Sequence, residues 1–379
     1  MKNVPVAWLN LLHNKSRFFA AIAGVSCSVA LVFVNLGTLG AMEIAALAFY
    51  RQSNADVYLL SAKSKDPTVP TVFSIRHLYR LNGLAEVKRV MPLYSGQTQW
   101  QNVVTGNGRE IQVYGFDLRE ATFFPKLSPE EVARLQPPDT VIFDIRSHRE
   151  YGPREVGISS KLDEKTVEII GLFSLGNSFE YDGTILLSDQ NFQRLFSHSL
   201  QLISEGLIQL EDGVDADRFV QDLNQTLSPD VIALTRQEIM DREKNYWLHE
   251  SAFGTIFQAG AAIALIVGVA ILYQVLSNDI SSHLPEYAFL KAMGYHKRKI
   301  LLIVLQEATI LACLGYIPGL FISWGFYQVI FLATGLPFYM ELQRAIFIFC
   351  LTVIMCLTSG VIVVNKATRL DPAEVLSCS

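Results

Sequence analysis

Four long stretches of the chain are almost free of charge, and the rest of the sequence hangs between them. Positions 18–42 and 251–278 contain no Asp, Glu, Lys or Arg, 300–327 contains only Glu307, and 345–365 is uncharged between Arg344 and Lys366. Roughly 20 apolar residues cross a bilayer as a helix, so the pattern predicts four membrane-spanning helices. A cleaved leader is the competing reading of 18–42, but the run is too long and no small-residue cleavage site followed by a polar start is apparent. Basic side chains crowd alternate flanks: Lys2, Lys15 and Arg17 before the first run, Lys291, Lys297, Arg298 and Lys299 between the second and third, Lys366 and Arg369 after the fourth. Loops rich in Lys and Arg stay in the cytoplasm. The N-terminal segment 1–17, the loop 279–299 and the tail 366–379 are therefore expected inside, with 43–250 and the short loop 328–344 outside.

Each run carries small residues four apart: Ala20, Gly24 and Ser28; Gly260, Ala264 and Gly268; Gly315, Gly319 and Ser323; Thr352, Cys356 and Gly360. Such rows let helix backbones approach closely in a bundle or a dimer, although Gly and Ala are common enough in membrane helices for a row to arise by chance. Pro318 is expected to kink the third helix. Glu307 lies about two turns into that helix, where a carboxylate is a functional candidate; snorkelling to the inner interface beside Gln306 is the simpler expectation. Gln274 is a candidate for hydrogen bonding between helices.

Within 43–250 the pattern changes. Short apolar runs at 56–60, 110–115, 140–144, 166–172, 184–187 and 206–210 read as strands, and 75–81, 189–196 and 216–227 as amphipathic helices, an α+β domain with loops marked by Pro67, Pro70, Pro137, Pro138 and Gly152-Pro153. The charged stretch 236–250 reads as a solvated helix descending to the membrane, with Tyr246 and Trp247 at the interface. No G-x-S-x-G, H-E-x-x-H or paired-carboxylate pattern stands out, so no catalytic residue is assigned. His77, His148 and His198 read as ordinary surface or turn residues.

Composition and charge sharpen this picture. Half of the 379 residues are hydrophobic and only 18% are charged, a balance more typical of membrane than of soluble chains. The formal charge of −5 divides unevenly: 43–250 holds 21 Lys+Arg against 30 Asp+Glu, hence −9, and the remainder 10 against 6, hence +4. That asymmetry argues against nucleic-acid binding and suits basic ends near an anionic leaflet. Cys27, Cys313, Cys350, Cys356 and Cys378 all lie outside the central segment, which must fold without disulfides. No Cys/His cluster has metal-ligand spacing, so no metal is expected.

On the inner side, Val4, Trp8, Leu11 and Leu12 recur at helical spacing, which describes a short surface helix or an extension of the first span. The loop SNDISSHLPEYAFLKAMGYHKRKI is the most specific stretch. Pro285 is placed to open a helix, Glu286 lies in its first turn, Leu290 and Met293 share a face and Gly294 can end it. A compact helix held between two spans suits the relay of a push from a soluble motor.

At these residues the sequence resembles the MacB/FtsX superfamily of ABC permeases. AWLNLLHNKSRFFAAIAGV is similar to its opening segment, IQVYGFD to an outer-domain strand and ATRLDPAEVLS to its C-terminal signature around Pro372 and Glu374. NYWLHESAFGTIF, VAILYQVLSNDISSHLPEYAFLKAMGY and LQEATILACLGYIPG are similar, more narrowly, to the DevC permeases of cyanobacteria, whose best-known members export heterocyst glycolipids, except that Phe289 stands where that pattern has Thr. The resemblance implies a MacB/FtsX-like fold, a homodimer of four-helix subunits, and a coupling helix that docks on an ATPase through Asp279, His283, Glu286, Tyr287, Leu290, Lys291, Ala292, Met293 and Gly294. It implies an inner-membrane location, a periplasmic adaptor and an outer-membrane TolC-like channel as further partners. The sequence has no G-x-x-x-x-G-K-[ST] loop, so ATP and Mg are expected on a separate ATPase and no cofactor on this chain. The alternative is an FtsX-like subunit that transports nothing and activates an extracytoplasmic enzyme such as a cell-wall hydrolase. A third reading, a membrane-anchored sensor or enzyme without an ATPase, would leave the 279–299 loop dispensable.

Overall fold

A computed structural model describes residues 15–64, 71–124, 127–282 and 297–367. In chain order the described elements begin with α1 (Lys15–Ala46), α2 (Ala48–Gln52), β1 (Val57–Ser61), β2 (Phe73–Ser74), α3 (Ile75–Leu81), β3 (Val87–Gln101) and β4 (Gly108–Phe116). They continue with α4 (Pro129–Arg134), β5 (Thr140–Asp144), β6 (Ser159–Leu162), β7 (Lys165–Phe173), β8 (Thr184–Ser188), α5 (Asp189–Phe196), β9 (Leu202–Ile203), β10 (Glu205–Leu210), α6 (Ala216–Thr226) and β11 (Val231–Thr235). Last come α7 (Arg236–Asn245), a π-helical turn (Tyr246–Glu250), α8 (Ala252–Ser282), α9 (Lys297–Thr334) and α10 (Leu342–Ala367). The chain divides into two compact units, one built from the described residues of 1–40, 255–329 and 338–379, the other from 41–254 and 330–337.

In the first unit α1, α8, α9 and α10 are each long and apolar enough to cross a membrane. All four overrun their expected spans, and α9 runs unbroken through Pro318. Ile263, Ile266, Phe321 and Phe347 are exposed on these helices. Outward apolar surface of that kind would be costly in water and is what a bilayer solvates.

In the second unit nine strands form one sheet in the order β11-β1-β10-β3-β4-β8-β5-β7-β6, and the far end of β3 also pairs with β6 through Trp100 and Gln101, so part of the sheet closes on itself. Most neighbours are antiparallel, while β4 runs parallel to β8 and β5 to β7. Alternate residues of a strand point to opposite faces, and both faces are covered here. Val57, Leu59, Ile111, Val113, Val141, Phe143, Ile185 and Leu187 belong to one core, and Tyr58, Leu60, Tyr114, Phe116, Ile142 and Leu186 to the other. Two-sided burial explains why VYLLS, TVIFD and TILLS are continuous apolar runs rather than alternating ones. Helix starts follow local capping chemistry: Ser74, Ser188 and Asp215 accept first-turn N–H groups, and Ser128 with Glu131 and Thr235 with Glu238 form capping boxes.

The expected α+β domain between the first two spans is present, with strands and helices at every expected position. Two expectations are corrected. The 15-residue β3, central in the sheet, is not among the expected strands; Pro92 and Gly96 within it are residues that locally disfavour a strand. The 236–250 stretch is not solvated all round, since Ile239, Glu243 and Trp247 are buried within the second unit.

Candidate functional site

The residues singled out in the spans do different things. Gly315 and Gly319 of α9 lie against α1, where an added Cβ would stand 2.6 Å from Val25 and 2.7 Å from Val29. Ser26 Oγ bridges the same contact by donating to Gly315 O at 2.8 Å. Close approach of α1 and α8 is closed likewise by Ser28 Oγ donating to Ala264 O at 2.6 Å, and Ser359 Oγ of α10 donates to Val269 O at 3.0 Å. Inside a bilayer such short backbone-directed bonds are possible only where small side chains let helices touch. Gly24, Gly260, Gly268 and Gly360 likewise face neighbouring helices, although Ala20 is exposed. Apart from Ala20, the residues of these rows pack between helices of one bundle.

Glu307 is fully buried in that bundle, beside Val304, Ala308 and Leu311, so it does not snorkel to an interface. Gln274 is exposed on α8, and it is not packed between helices as expected. Asp279 lies in the last turns of α8. The other coupling residues, His283, Glu286, Tyr287, Leu290, Lys291, Ala292, Met293 and Gly294, lie outside the described residues, as do the N-terminal surface helix, Pro372 and Glu374.

A second constellation lies in the outer unit, around residues 330–337 that end α9 and lead to α10. His148 Nδ1 accepts the Glu150 N–H at 3.4 Å, which leaves Nε2 to carry the proton and donate to Ala333 O at 2.8 Å. Asn177 Nδ2 donates to Thr334 O at 2.7 Å. Gly335, at φ +71°, turns the chain off the helix while its N–H returns to Phe331 O at 2.8 Å. A Cβ there would stand 2.6 Å from Asn177 Nδ2, so both the backbone angle and the space call for glycine. Two last-turn carbonyls of α9, which a helix end leaves without internal partners, are thus bound by side chains of the β-domain. The network behind this seam is rigid: Arg109 binds Asp182 and Glu150, and Tyr151 Oη donates to Asp182 at 2.7 Å. Burial alone would raise the Asp182 carboxyl, but the Arg109 and Tyr151 hydrogen bonds outweigh it and hold the group below its usual range. At the other entry to this unit Lys244 of α7 pairs with Glu43 of α1 at 2.9 Å.

Residues 18–226 match the MacB-like periplasmic core domain and residues 259–372 the FtsX-like permease C-terminal domain. The chain belongs to the MacB/FtsX family of ABC permeases. This permease is similar to the pyoverdine export ATP-binding/permease protein PvdT of Pseudomonas syringae pv. tomato, 21% identical over 393 aligned residues that cover 99% of this chain and 59% of PvdT. It is also similar to the ABC transporter permease YtrF of Bacillus subtilis, 25% identical over 197 residues, 52% of this chain and 41% of YtrF. The permease thus spans about three fifths of the length of the first relative. Among solved structures, the periplasmic region of MacB from Actinobacillus actinomycetemcomitans is 12% identical with a TM-score of 0.38, covering 52% of this chain and 95% of that one.

Sequence reasoning placed the membrane helices of the permease but not its seam. His148 reads as a turn residue, which it is, since it caps the 149–151 turn. Its bond to Ala333, 185 positions away, leaves no local signal.

Proposed function

We propose that this permease converts ATP-driven motion, delivered at the cytoplasmic 279–299 loop by a separate ATPase subunit, into movement of the outer domain that drives export. The observation that carries this reading is continuity. Helices α1 and α9 each begin among the membrane residues and end inside the outer unit without a break, and the α9–α10 connection is itself part of that unit. A helix is a stiff rod, with one hydrogen bond per residue and a rise of about 1.5 Å per residue, so displacement at one end is delivered to the other. On this reading both termini are cytoplasmic, the outer domain is periplasmic and the protein lies in the inner membrane as a homodimer. A periplasmic adaptor and a TolC-like channel complete a tripartite path. The cargo is a lipid-like or other amphiphilic molecule, a proposal supported by the likeness to DevC permeases and by the export role in the name of PvdT.

The test is the double substitution Glu286→Ala with Leu290→Ala in the reconstituted complex. Stimulation of the partner ATPase and transport are expected to fall together while membrane insertion stays normal. Unchanged stimulation would refute the coupling role of the loop.

A further inference from the structure

The unit built from 41–254 and 330–337 holds an open-sided cavity of about 120 Å³ lined by aromatic rings and carboxyl groups. Tyr50, Tyr114, Tyr181 and Trp247 supply the walls, and Glu180, Glu205 and Glu243 face the same space, with Arg242 the one cation among the described residues that line it. The aromatic side is ordered by contact among its own members. Tyr114 and Tyr181 share a hydroxyl hydrogen bond of 2.9 Å, and Phe49 stacks on Tyr114 at 5.1 Å and meets Tyr50 edge-on at 5.5 Å. Glu205 is less well provided for. Glu205 Oε1 accepts only a long 3.5 Å bond from Tyr50, and its Oε2, with no solvent exposure, has no hydrogen-bond partner. Glu243 is 8% exposed, accepts a hydrogen bond from the Trp247 side chain, and has Glu205, Glu180 and Arg242 as its charged neighbours. A buried acceptor left unmatched costs on the order of 1–3 kcal/mol, more when charged. At Oε2, which solvent does not reach, a proton is what relieves that cost.

We propose that this cavity binds a small organic cation, a primary or quaternary ammonium group, held between the Glu205 and Glu243 carboxylates and the faces of the surrounding aromatic rings. Ammonium groups are attracted both to carboxylates and to aromatic faces, and sites that combine the two are selective for them. A divalent metal fits less well, because among the described residues no three His, Cys, Asp or Glu side chains stand close enough to hold one. An anion would meet three carboxylates for one guanidinium. The protonation behaviour of the pair agrees with this geometry: burial, with mutual repulsion at Glu243, pushes Glu205 up to about 7 and Glu243 to about 8. Near neutral pH a cation therefore competes with protons for the pair. The ammonium group can come from a free amine or from the headgroup of a lipid or cargo molecule.

The experiment is calorimetric titration of the detergent-solubilised full chain with methylammonium and tetramethylammonium chloride, against sodium chloride at matched ionic strength. Saturable binding is expected for at least one ammonium salt. It should weaken at least about tenfold in Glu205→Gln, from the loss of one charge-assisted contact, and grow weaker as the pH is lowered below the Glu205 range. A parallel arm with phosphatidylethanolamine-containing and phosphatidylglycerol-only nanodiscs separates a headgroup from a free amine, since only the former competes with the titrated salt. Because Glu243→Gln removes a buried charge, it is expected to fold at least as well as the parent and to lose binding too. Absence of saturable heat beyond the sodium control, or binding indifferent to both substitutions, overturns the proposal. Loss of the coupling role of the 279–299 loop would leave this outcome untouched, as the cavity lies wholly within the outer unit.

Discussion

Single residues set the tolerances of both units. In the bundle, Gly319 leaves no room for a larger side chain, since even a Cβ would stand 2.7 Å from Val29 and 2.9 Å from Ser26 O. Gly319→Leu is expected to destabilise the helix packing by about 1–3 kcal/mol, the usual cost of overfilling a close-packed site. A lower melting temperature in detergent checks this, and an unchanged one would mean that α9 can shift away freely. In the outer unit, Glu205 and Glu243 keep protons in the folded state, up to about pH 7 and 8, that the unfolded chain releases near 4.5. Between about pH 4.5 and 8 the folded form therefore binds more protons than the unfolded form, and stability falls as pH rises. The groups that act on this pair are Tyr50 at Glu205 and Arg242, Glu180 and the Trp247 side chain at Glu243, with the Tyr114 and Tyr181 hydroxyls lining the same cavity. Thermal unfolding at about pH 5.5 and about pH 8.5 is expected to show the parent less stable at the higher value. Glu243→Gln should remove much of that difference and raise the melting temperature at about pH 8.5, where each unit of displaced pKa corresponds to about 1.4 kcal/mol. A pH profile unaltered by Glu243→Gln would contradict the burial cost assigned to it.

Elements were legible in the sequence where one physical pattern dominated. The four charge-free runs and the short apolar strands VYLLS, TVIFD and TILLS are such cases, because burial on every side demands apolar residues throughout. The helices at 75–81, 189–196 and 216–226 were legible for a second reason: each opens on a Ser or Asp that caps it. β3 escaped because its stability comes from partners far along the chain. Pro92 is opposite Gly206 and Gly96 opposite Val113, so residues that argue against a strand locally are accommodated by β10 and β4. The acidic cavity escaped for the same reason, since Tyr50, Glu180, Glu205 and Glu243 are spread over almost 200 positions and form no motif. At the seam, His148 and Asn177 bind the end of α9 through backbone oxygens, which any residue supplies, so the sequence carries no trace of it. If the proposed coupling holds, His148→Ala with Asn177→Ala is expected to leave the β-domain folded and to lower transport several-fold, while ATPase stimulation is retained. Transport at the parental rate would show that the α9–α10 connection carries no motion.

At the scale of the whole molecule, the family assignment rests on two matched domains that together span residues 18–372. It accounts for a chain in which nearly all charge sits outside four helices. The small-residue rows were ambiguous in the sequence between bundle and dimer, and the structure allots them to the interior of one subunit, against Val25, Val29 and Ser28.

The inclusion of 330–337 in the outer fold also bears on how this protein can be taken apart. A fragment cut at the obvious limits, 41–254, would discard the strip that His148 and Asn177 hold. What remains would expose two stranded donors, together with Arg109 and Asp182 at the rim of a trough once roofed by Thr334 and Leu336. A head prepared for solution work therefore needs those eight residues grafted back, or its measured properties will be those of an opened edge.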